Sequence, residues 1–505
     1  PHLRRAPHSN SMNTAVLEVN EEVLARTVER CQEKKIILPT IAMMRDPKLI
    51  PTEIVEALPE VGMQDINPLN LYRISWYNDP ETGKFKEVPT YVELPSSLTG
   101  VKARILVMVG KNFPTGAHKV GATYCALVDG LLSGDFDPVN HKAMWPSTGN
   151  YCRGGAFNSA LLGCKAVAVL PEEMSQERFD WLQMMGTEVH ATHGCESNVK
   201  EVFDKANELN AKPEYHCFNQ FELEGNCAWH YSVTGPSLYS VFEDAKKPGD
   251  RLAASFFTTG SAGSIASADF LREQVPSMYN GCGEAKQCPT IFNNGYGGHG
   301  IEGIGDKHIP WIFNSSTQDI VACLDDQDCM HFLRLFNEPA GKKVLEAHGM
   351  SKEDVEKMSY LGISGIANVL GLIKMAKYYE LTEKDVMVTV ATDSAAMYMS
   401  RLKELTAEHG EYTELNAECD MERLKQITVD WMEELTYAKR KRVHHLKYYT
   451  WIEQQGKTLE ELNAQWYDRD TYWPERYASA ERLNDRINAF NDRTGLMAKL
   501  YPKKE

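Results

Sequence analysis

The chain has 505 residues, 43% of them apolar and 25% charged, and its 54 Lys and Arg against 70 Asp and Glu give a formal net charge of −16. That length suffices for two or three domains or one large α/β unit, and so acidic a surface argues against nucleic acid or an anionic membrane as partner. The twelve cysteines include no CxxC, and the tightest pairs, Cys282/Cys288 and Cys323/Cys329, match neither a zinc knuckle nor a redox dithiol, so reduced thiols in a cytoplasmic protein and no metal site are expected.

The opening "PHLRRAPHSNSMN" is basic but lacks the apolar core of a secretory signal, and no stretch is long and apolar enough to span a bilayer. Residues 14–100 read as a helical and irregular lead-in rich in Glu and Pro. "ARILVMVG" (103–110) reads as a buried strand, and a helix closed by glycines follows Lys119. A regular alternation then begins. "HKAMW", "CKAVAVLP" and "TEVHATH" read as strands; "NYCRGGAFNSALLG", "SQERFDWLQMMG" and "ESNVKEVFDKANEL" read as the helices between and after them, the second with Trp181, Leu182 and Met185 on one face. Units of this kind call for a parallel sheet covered on both faces, and right-handed crossovers make it doubly wound. A second series follows: "RLAASFFTTGSAGSIASADFLRE" as strand, glycine-rich turn and helix, then "CPTIFNN" and "DVMVTVATDS" as strands, with the helix "NVLGLIKMAKYYE" before the last. From about residue 400 the sequence turns charged and aromatic with helical spacing.

Ligands of open parallel sheets bind at the carboxyl ends of the strands. Four loops sit there. "NFPTGAHKVGAT" (112–123) places Lys119 between a glycine turn and a helix start. "PSTGNYCRGG" (146–155) is a strand-to-helix turn whose N–H groups suit a carboxylate. "TTGSAGS" (258–264) has the form of a phosphate cradle, and "ATDSAAMY" (391–398) ends a strand in a short hydroxyl side chain. Each alone reads equally as an ordinary turn. An amine, a carboxylate loop, a phosphate cradle and a hydroxyl for a ring nitrogen, in this order, are together the parts of a pyridoxal phosphate site.

On these motifs the chain resembles the fold type II pyridoxal-phosphate enzymes, the cysteine synthase and cystathionine β-synthase group, over roughly residues 105–400. The resemblance implies a two-lobed α/β fold of doubly wound parallel sheets, similar to the tryptophan synthase β chain, with a helical C-terminal extension. It divides the chain into a lead-in (1–100), a large cofactor lobe (101–134 and 239–400), a small substrate lobe (135–238) and the extension (401–505). Lys119 falls at the Schiff-base lysine. "STGNY" stands at the substrate loop, so Ser147, Thr148, Gly149 and Tyr151 would hold the substrate carboxylate and Asn150 the cofactor's phenolic oxygen. Gly260, Ser261, Ala262, Gly263 and Ser264 would bind the phosphate, and Ser394 would face the pyridine nitrogen. "QFELEGNCAWHYSVTGP" (220–236) and "EGIGDKHIP" (302–310) match family segments as well, which adds Gln220 to the substrate site.

The implied chemistry is β-elimination or β-replacement on a serine- or cysteine-like amino acid through an aminoacrylate, because a hydroxyl at Ser394 leaves the ring a weak electron sink. A cytoplasmic homodimer is also implied. The sequence departs from the group at three places. "TGAHK" is more similar to the tryptophan synthase β chain, which makes His118 a candidate phosphate contact; that chain's acidic loop residue has no counterpart, so indole chemistry is not expected. Arg153 is either a surface arginine or a contact to a second anionic group on the substrate. Asp306 in "DKH" either serves the leaving group or the incoming nucleophile, or belongs to a solvated loop. His230, His444 and His445 read as structural, "KRKR" (439–442) as a solvated helix face, and the extension as free of heme, with regulation, dimerisation and cover for the site all open to it. Threonine synthase-like or serine/threonine dehydratase-like chemistry is the competing reaction, and a catalytically silent scaffold the competing class. A nicotinamide dehydrogenase is disfavoured by the lack of GxGxxG at 260–264.

Overall fold

Runs of Val, Ile, Leu and Met without polar alternation form strands buried on both faces. The computed structural model describes residues 19–147 and 149–502; the opening basic stretch lies outside them. The strands are β1 (Tyr91–Leu94), β2 (Arg104–Val109), β3 (Lys142–Pro146), β4 (Lys165–Pro171), β5 (Glu188–Thr192), β6 (Tyr215–Cys217), β7 (Arg251–Thr258), β8 (Tyr279–Ala285), β9 (Ile320–Leu324), β10 (Asp385–Ala391) and β11 (Met432–Glu434). They make a seven-stranded sheet in the order β1-β2-β10-β7-β8-β9-β11 and a four-stranded sheet in the order β5-β4-β3-β6. The small sheet is parallel throughout, as are the five inner strands of the large one; β1 and β11 join its edges antiparallel.

Side chains alternate across β2. Leu106 and Met108 enter one core with the helix Lys119–Ser133. Ile105, Val107 and Val109 enter another with the helices Asp326–Asn337 and Ile363–Tyr378. The sheet is therefore covered on both sides, as the alternation of elements requires.

The structure corrects three sequence expectations. "CPTIFNN" is not a strand: Pro289 cannot donate to a ladder, and residues Thr290–Asn293 form a short helix whose amides at Ile291 and Phe292 each donate to the Glu284 carboxylate at 2.8 Å. The strand lies earlier, at β8, where Gly281 and Gly283 leave room for the Phe256 ring. The lead-in supplies β1. "KRKR" is not a free face, since Arg440 donates to Gln318 O at 2.6 Å and Arg442 to Ile291 O at 2.9 Å, tying the extension to the large sheet.

The last long helix of the extension, Ser479–Thr494, lies against the helices Glu21–Lys34 and Lys119–Ser133. Leu483, Ile487 and Phe490 share a core with Tyr124 and Leu127, and Asn491 pairs with both the N–H (3.0 Å) and the C=O (2.8 Å) of Leu38. The first turn of the Lys119 helix packs on Trp229 so closely that a Cβ at Gly121 would overlap the indole. Gly121→Ala should therefore lower the unfolding free energy by about 1–3 kcal/mol, read from the shift in denaturant midpoint.

Candidate active site

The carboxyl ends of β2, β3, β7 and β10 bring four loops to one cleft between the two sheets. Gly110 and His118 bond back to the end of β10, with N–H to Ala391 O at 2.8 Å and N–H to Thr392 O at 3.2 Å. Between them Thr115 and Gly116 take left-handed backbone (φ 69° and 74°), which turns the chain so that Lys119 begins a helix inside the cleft. The Lys119 amine donates to Ser261 Oγ at 2.9 Å and to Gln220 Oε1 at 3.4 Å. Ser261 Oγ also accepts from Asn226 Nδ2 at 2.9 Å, and Gln220 Nε2 reaches Ser147 Oγ at 3.4 Å. One amine thus links the loops after β3, β6 and β7.

Burial pulls the amine down from its ordinary value to about 8, against the opposing pull of Asp306 and Glu196. Asp306 is pushed well above the carboxylate range, first by burial and then by Glu196, with Lys119 acting the other way. Its Oδ2 has no hydrogen-bond partner among the described residues. Asp306 is buried in the wall, so the solvated-loop reading of that residue does not hold.

The turn Gly260–Ser264 opens the helix Ile265–Gln274, whose first amides, of Ile265, Ala266 and Ser267, bond back to Ala262, Gly263 and Ser264 O at 3.2, 3.2 and 3.0 Å. Ala262 sits at φ 64°, and a Cβ on Gly260 would come within 2.6 Å of Gly303 O, so the turn packs directly on the 303 backbone, which only glycine at 260 allows. Ser147 Oγ accepts from the Gly149 amide at 3.0 Å, and Gly149 (φ 144°) lies against Arg178, where no side chain fits. Thr148 lies outside the described residues. Asn150 starts the next helix and gives its Nδ2 to Asp393 Oδ2 at 2.8 Å. Tyr151 is buried in the wall with its ring edge on Trp145.

Three residues stand differently from expectation. Thr392, not Ser394, is in the cleft wall; Ser394 is buried two residues on, directly before the turn Ala395–Met397 and without a side-chain bond to it. His118 is not in the wall either. Its Nε2 meets Thr392 Oγ1 at 3.1 Å, its ring packs on Trp76 and His230, and burial drops it to about 3, so the imidazole is neutral and backs the strand end. Arg153 is neither a surface residue nor part of the wall: it is buried, 4.8 Å over the Trp181 ring, with Nη1 3.0 Å from Met397 Sδ.

Sequence reasoning missed a buried ionic network behind Asn150. Asp393 Oδ2 accepts from Tyr398 Oη at 2.7 Å and lies 3.7 Å from Arg178 Nη2. Arg178 pairs with Glu302, and Glu302 with Arg401 at 2.7 Å. Arg178 follows β4 of the small sheet, whereas Glu302, Asp393 and Arg401 belong with the large one. No local signal marks most of these partners, because all but the Asp393–Tyr398 pair stand 99 to 243 positions apart.

Pyridoxal phosphate suits this donor set. Among the described residues, Asn150 Oδ1, Tyr151 Oη and Asp306 Oδ2 are buried polar atoms of the wall without partners; the tyrosine hydroxyl can donate to a ligand oxygen, and the Asn150 oxygen accepts from a ligand N–H or O–H. Two wider hollows, of about 700 and 730 Å3, lie elsewhere and do not include Lys119.

The family described as pyridoxal-phosphate dependent enzyme matches residues 88–322. A cysteine synthase of Staphylococcus aureus is 30% identical over 255 residues, which is 50% of this chain and 74% of that protein. Among solved structures, a hydrogen sulfide-producing enzyme from Fusobacterium nucleatum superposes with a TM-score of 0.52 at 22% identity, covering 65% of this chain and 99% of that one. A cysteine synthase from Entamoeba histolytica gives 0.54 at 22% identity over 67% and 93%. The two structures bear on the fold.

A lysine whose folded pKa lies below its unfolded value binds fewer protons in the native state, so it lowers stability fully below the folded pKa and ceases to do so above the unfolded one. With Lys119 at about 8, Lys119→Met should raise the unfolding free energy of the cofactor-free protein by about 1–3 kcal/mol at pH 7. That gain should shrink as pH rises through 8 towards 10.5, the ordinary value, in a urea series across pH.

Proposed function

The chain belongs to the family of pyridoxal-phosphate dependent enzymes, and from that premise we propose that it catalyses β-elimination or β-replacement on serine or cysteine itself. The cysteine synthase relatives support the reaction class. The observation that carries the choice of substrate is the buried Asp306, whose Oδ2 has no hydrogen-bond partner among the described residues, on the same cleft wall as Lys119.

Lys119 would carry the cofactor, the turn Gly260–Ser264 its phosphate and Asn150 its phenolic oxygen, with Thr392 or Ser394 at the ring nitrogen. Bound there, pyridoxal phosphate supplies an electron sink for a carbanion at Cα. Ser147, Gly149 and Gln220 receive the substrate carboxylate, Tyr151 closes that side of the wall, and Thr148 belongs to the same loop. With its pKa near 8, Lys119 is neutral often enough at pH 7 to take the Cα proton. Burial and Glu196 raise the pKa of Asp306 against the opposing pull of Lys119, which favours its acid form, and in this reading it is the group that protonates the departing atom.

A hydroxyl or thiol leaves poorly without a proton, whereas an ester does not need one. An acid in the wall therefore selects serine or cysteine over O-acylated serine. Besides Lys119 the wall offers, among the described residues, no cation to a second anionic group on the substrate, since Arg153 is turned towards Trp181. The same reading takes 101–134 with 239–400 as the cofactor lobe and 135–238 as the substrate lobe of a cytoplasmic homodimer. Nucleic acid and membrane are not partners in it: the net charge is −16, and no single described helix is long and apolar enough to cross a membrane.

Pyruvate, 2-oxobutyrate and sulfide release from a panel of serine, cysteine, threonine and O-acetylserine tests the reading. Serine or cysteine should be consumed, and Lys119→Ala should lose both turnover and the visible absorbance of the bound cofactor. Full activity in that variant ends the proposal. Asp306→Asn should slow serine and cysteine by about 10²–10⁴-fold and O-acetylserine far less; equal slowing of all three removes Asp306 as the acid.

A further inference from the structure

The extension does more than cover the large lobe. Lys447, at the N-cap of the π-helical segment Tyr448–Ile452, and Trp451, inside it, stand four residues apart and so share one face. Both are fully buried. Trp451 Nε1 donates to Ile309 O at 2.8 Å. Lys447 Nζ donates to Trp311 O and Phe313 O, each at 2.8 Å, and to Gln465 Oε1 at 2.6 Å, which matches its three N–H groups to three acceptors.

Residues 309–313 have no regular secondary structure, so their buried carbonyls need partners from elsewhere. That stretch leads directly out of the cleft. Asp306, in the wall, is three positions before Ile309 and has its carbonyl held by Thr290 Oγ1 at 2.9 Å. Ile312 N donates to Phe221 O at 3.3 Å, and Phe221 is also in the wall. The His308 ring packs on Phe221 (5.1 Å), Phe203 (5.5 Å) and Trp451 (5.8 Å), so small lobe, cleft loop and extension meet in one aromatic cluster. Lys457 adds a 2.9 Å ion pair to Glu222, one residue past Phe221.

We propose that the extension is a working part of the site, with Trp451 and Lys447 as positioning residues that fix the 309–313 stretch and thereby hold Asp306 and Phe221 on the cleft wall. The inference rests on the reading of the Lys119 cleft as the active site. Both residues lie beyond the matched segment 88–322, so the wall of a family site is here completed from outside it.

Hydrogen–deuterium exchange on the full-length, cofactor-free protein tests this without relying on turnover. In Trp451→Phe and Lys447→Met, exchange over 302–313 and 220–224 should rise several-fold while β7 keeps its protection. After loading with pyridoxal phosphate, both variants should retain the visible absorbance, and kcat should fall about tenfold or more with KM little changed. Unchanged exchange over 302–313, or a uniform rise that includes β7, overturns the proposal. Should Lys447→Met fail to fold, Trp451→Phe decides alone. Turnover surviving in Lys119→Ala would instead sink the functional reading and leave the exchange result standing.

Discussion

An ammonium group drawn out of water stays charged only where partners replace its hydration, and Lys119 has few. A hydroxyl and an amide oxygen meet it directly, and the two acidic residues that could hold its charge, Asp306 and Glu196, act through space. The amine is therefore poised to lose its proton. The rest of the cleft follows from the need to keep it there. The left-handed turn before it aims it, the glycine-rich turn accepts it, and Trp229 under Gly121 stops its helix from sliding. Such an arrangement stores instability at the point of chemistry, and the large two-sided core around β2 and β10 offsets it.

The second constraint is the charged network that joins the lobes. Arg178 is completely buried, and a guanidinium in that position is tolerable only because Glu302, Asp393 and Tyr398 surround it. It also sets the orientation of Asn150, whose amide nitrogen is committed to Asp393. The small sheet is thus not free to drift: the loop expected to receive the substrate carboxylate lies directly over an ion cluster anchored in the large sheet. Ser400 bonding to Glu177, with N–H to Oε1 at 2.7 Å, adds a further tie across the same boundary.

Much of this was legible in the sequence, for a physical reason. Parallel strands buried on both faces cannot hide among polar residues, so β2, β3, β4, β7 and β10 stand out as apolar runs. Five strands are not read from the sequence: the signal of β8 is diluted by three small residues out of seven, β6 and β11 are short, β1 lies inside the irregular lead-in, and β9 escapes although it is apolar and buried throughout. The Lys119, Ser147–Tyr151 and Gly260–Ser264 loops were legible because strand ends must converge in a doubly wound layer. What did not show was anything set by tertiary contact alone. The motif points to Ser394 alone, and only the folded cleft puts Thr392 in the wall. Arg153 looks like any helix arginine until Trp181 lies beneath it. The extension reads as generic amphipathic helix, since the carbonyls that Lys447 and Trp451 satisfy lie more than a hundred positions away.

The two outermost strands of the large sheet are its shortest and its only antiparallel ones among the described residues. An uncovered rim on a parallel sheet offers a ladder of unsatisfied donors and acceptors on which a second molecule can grow. β1 seals one rim early in synthesis. The other is sealed by β11, which leaves the ribosome long after β9 does. Until then the β9 edge stays open while the hundred-odd residues between the two strands are made, and an open edge is where a second chain pairs.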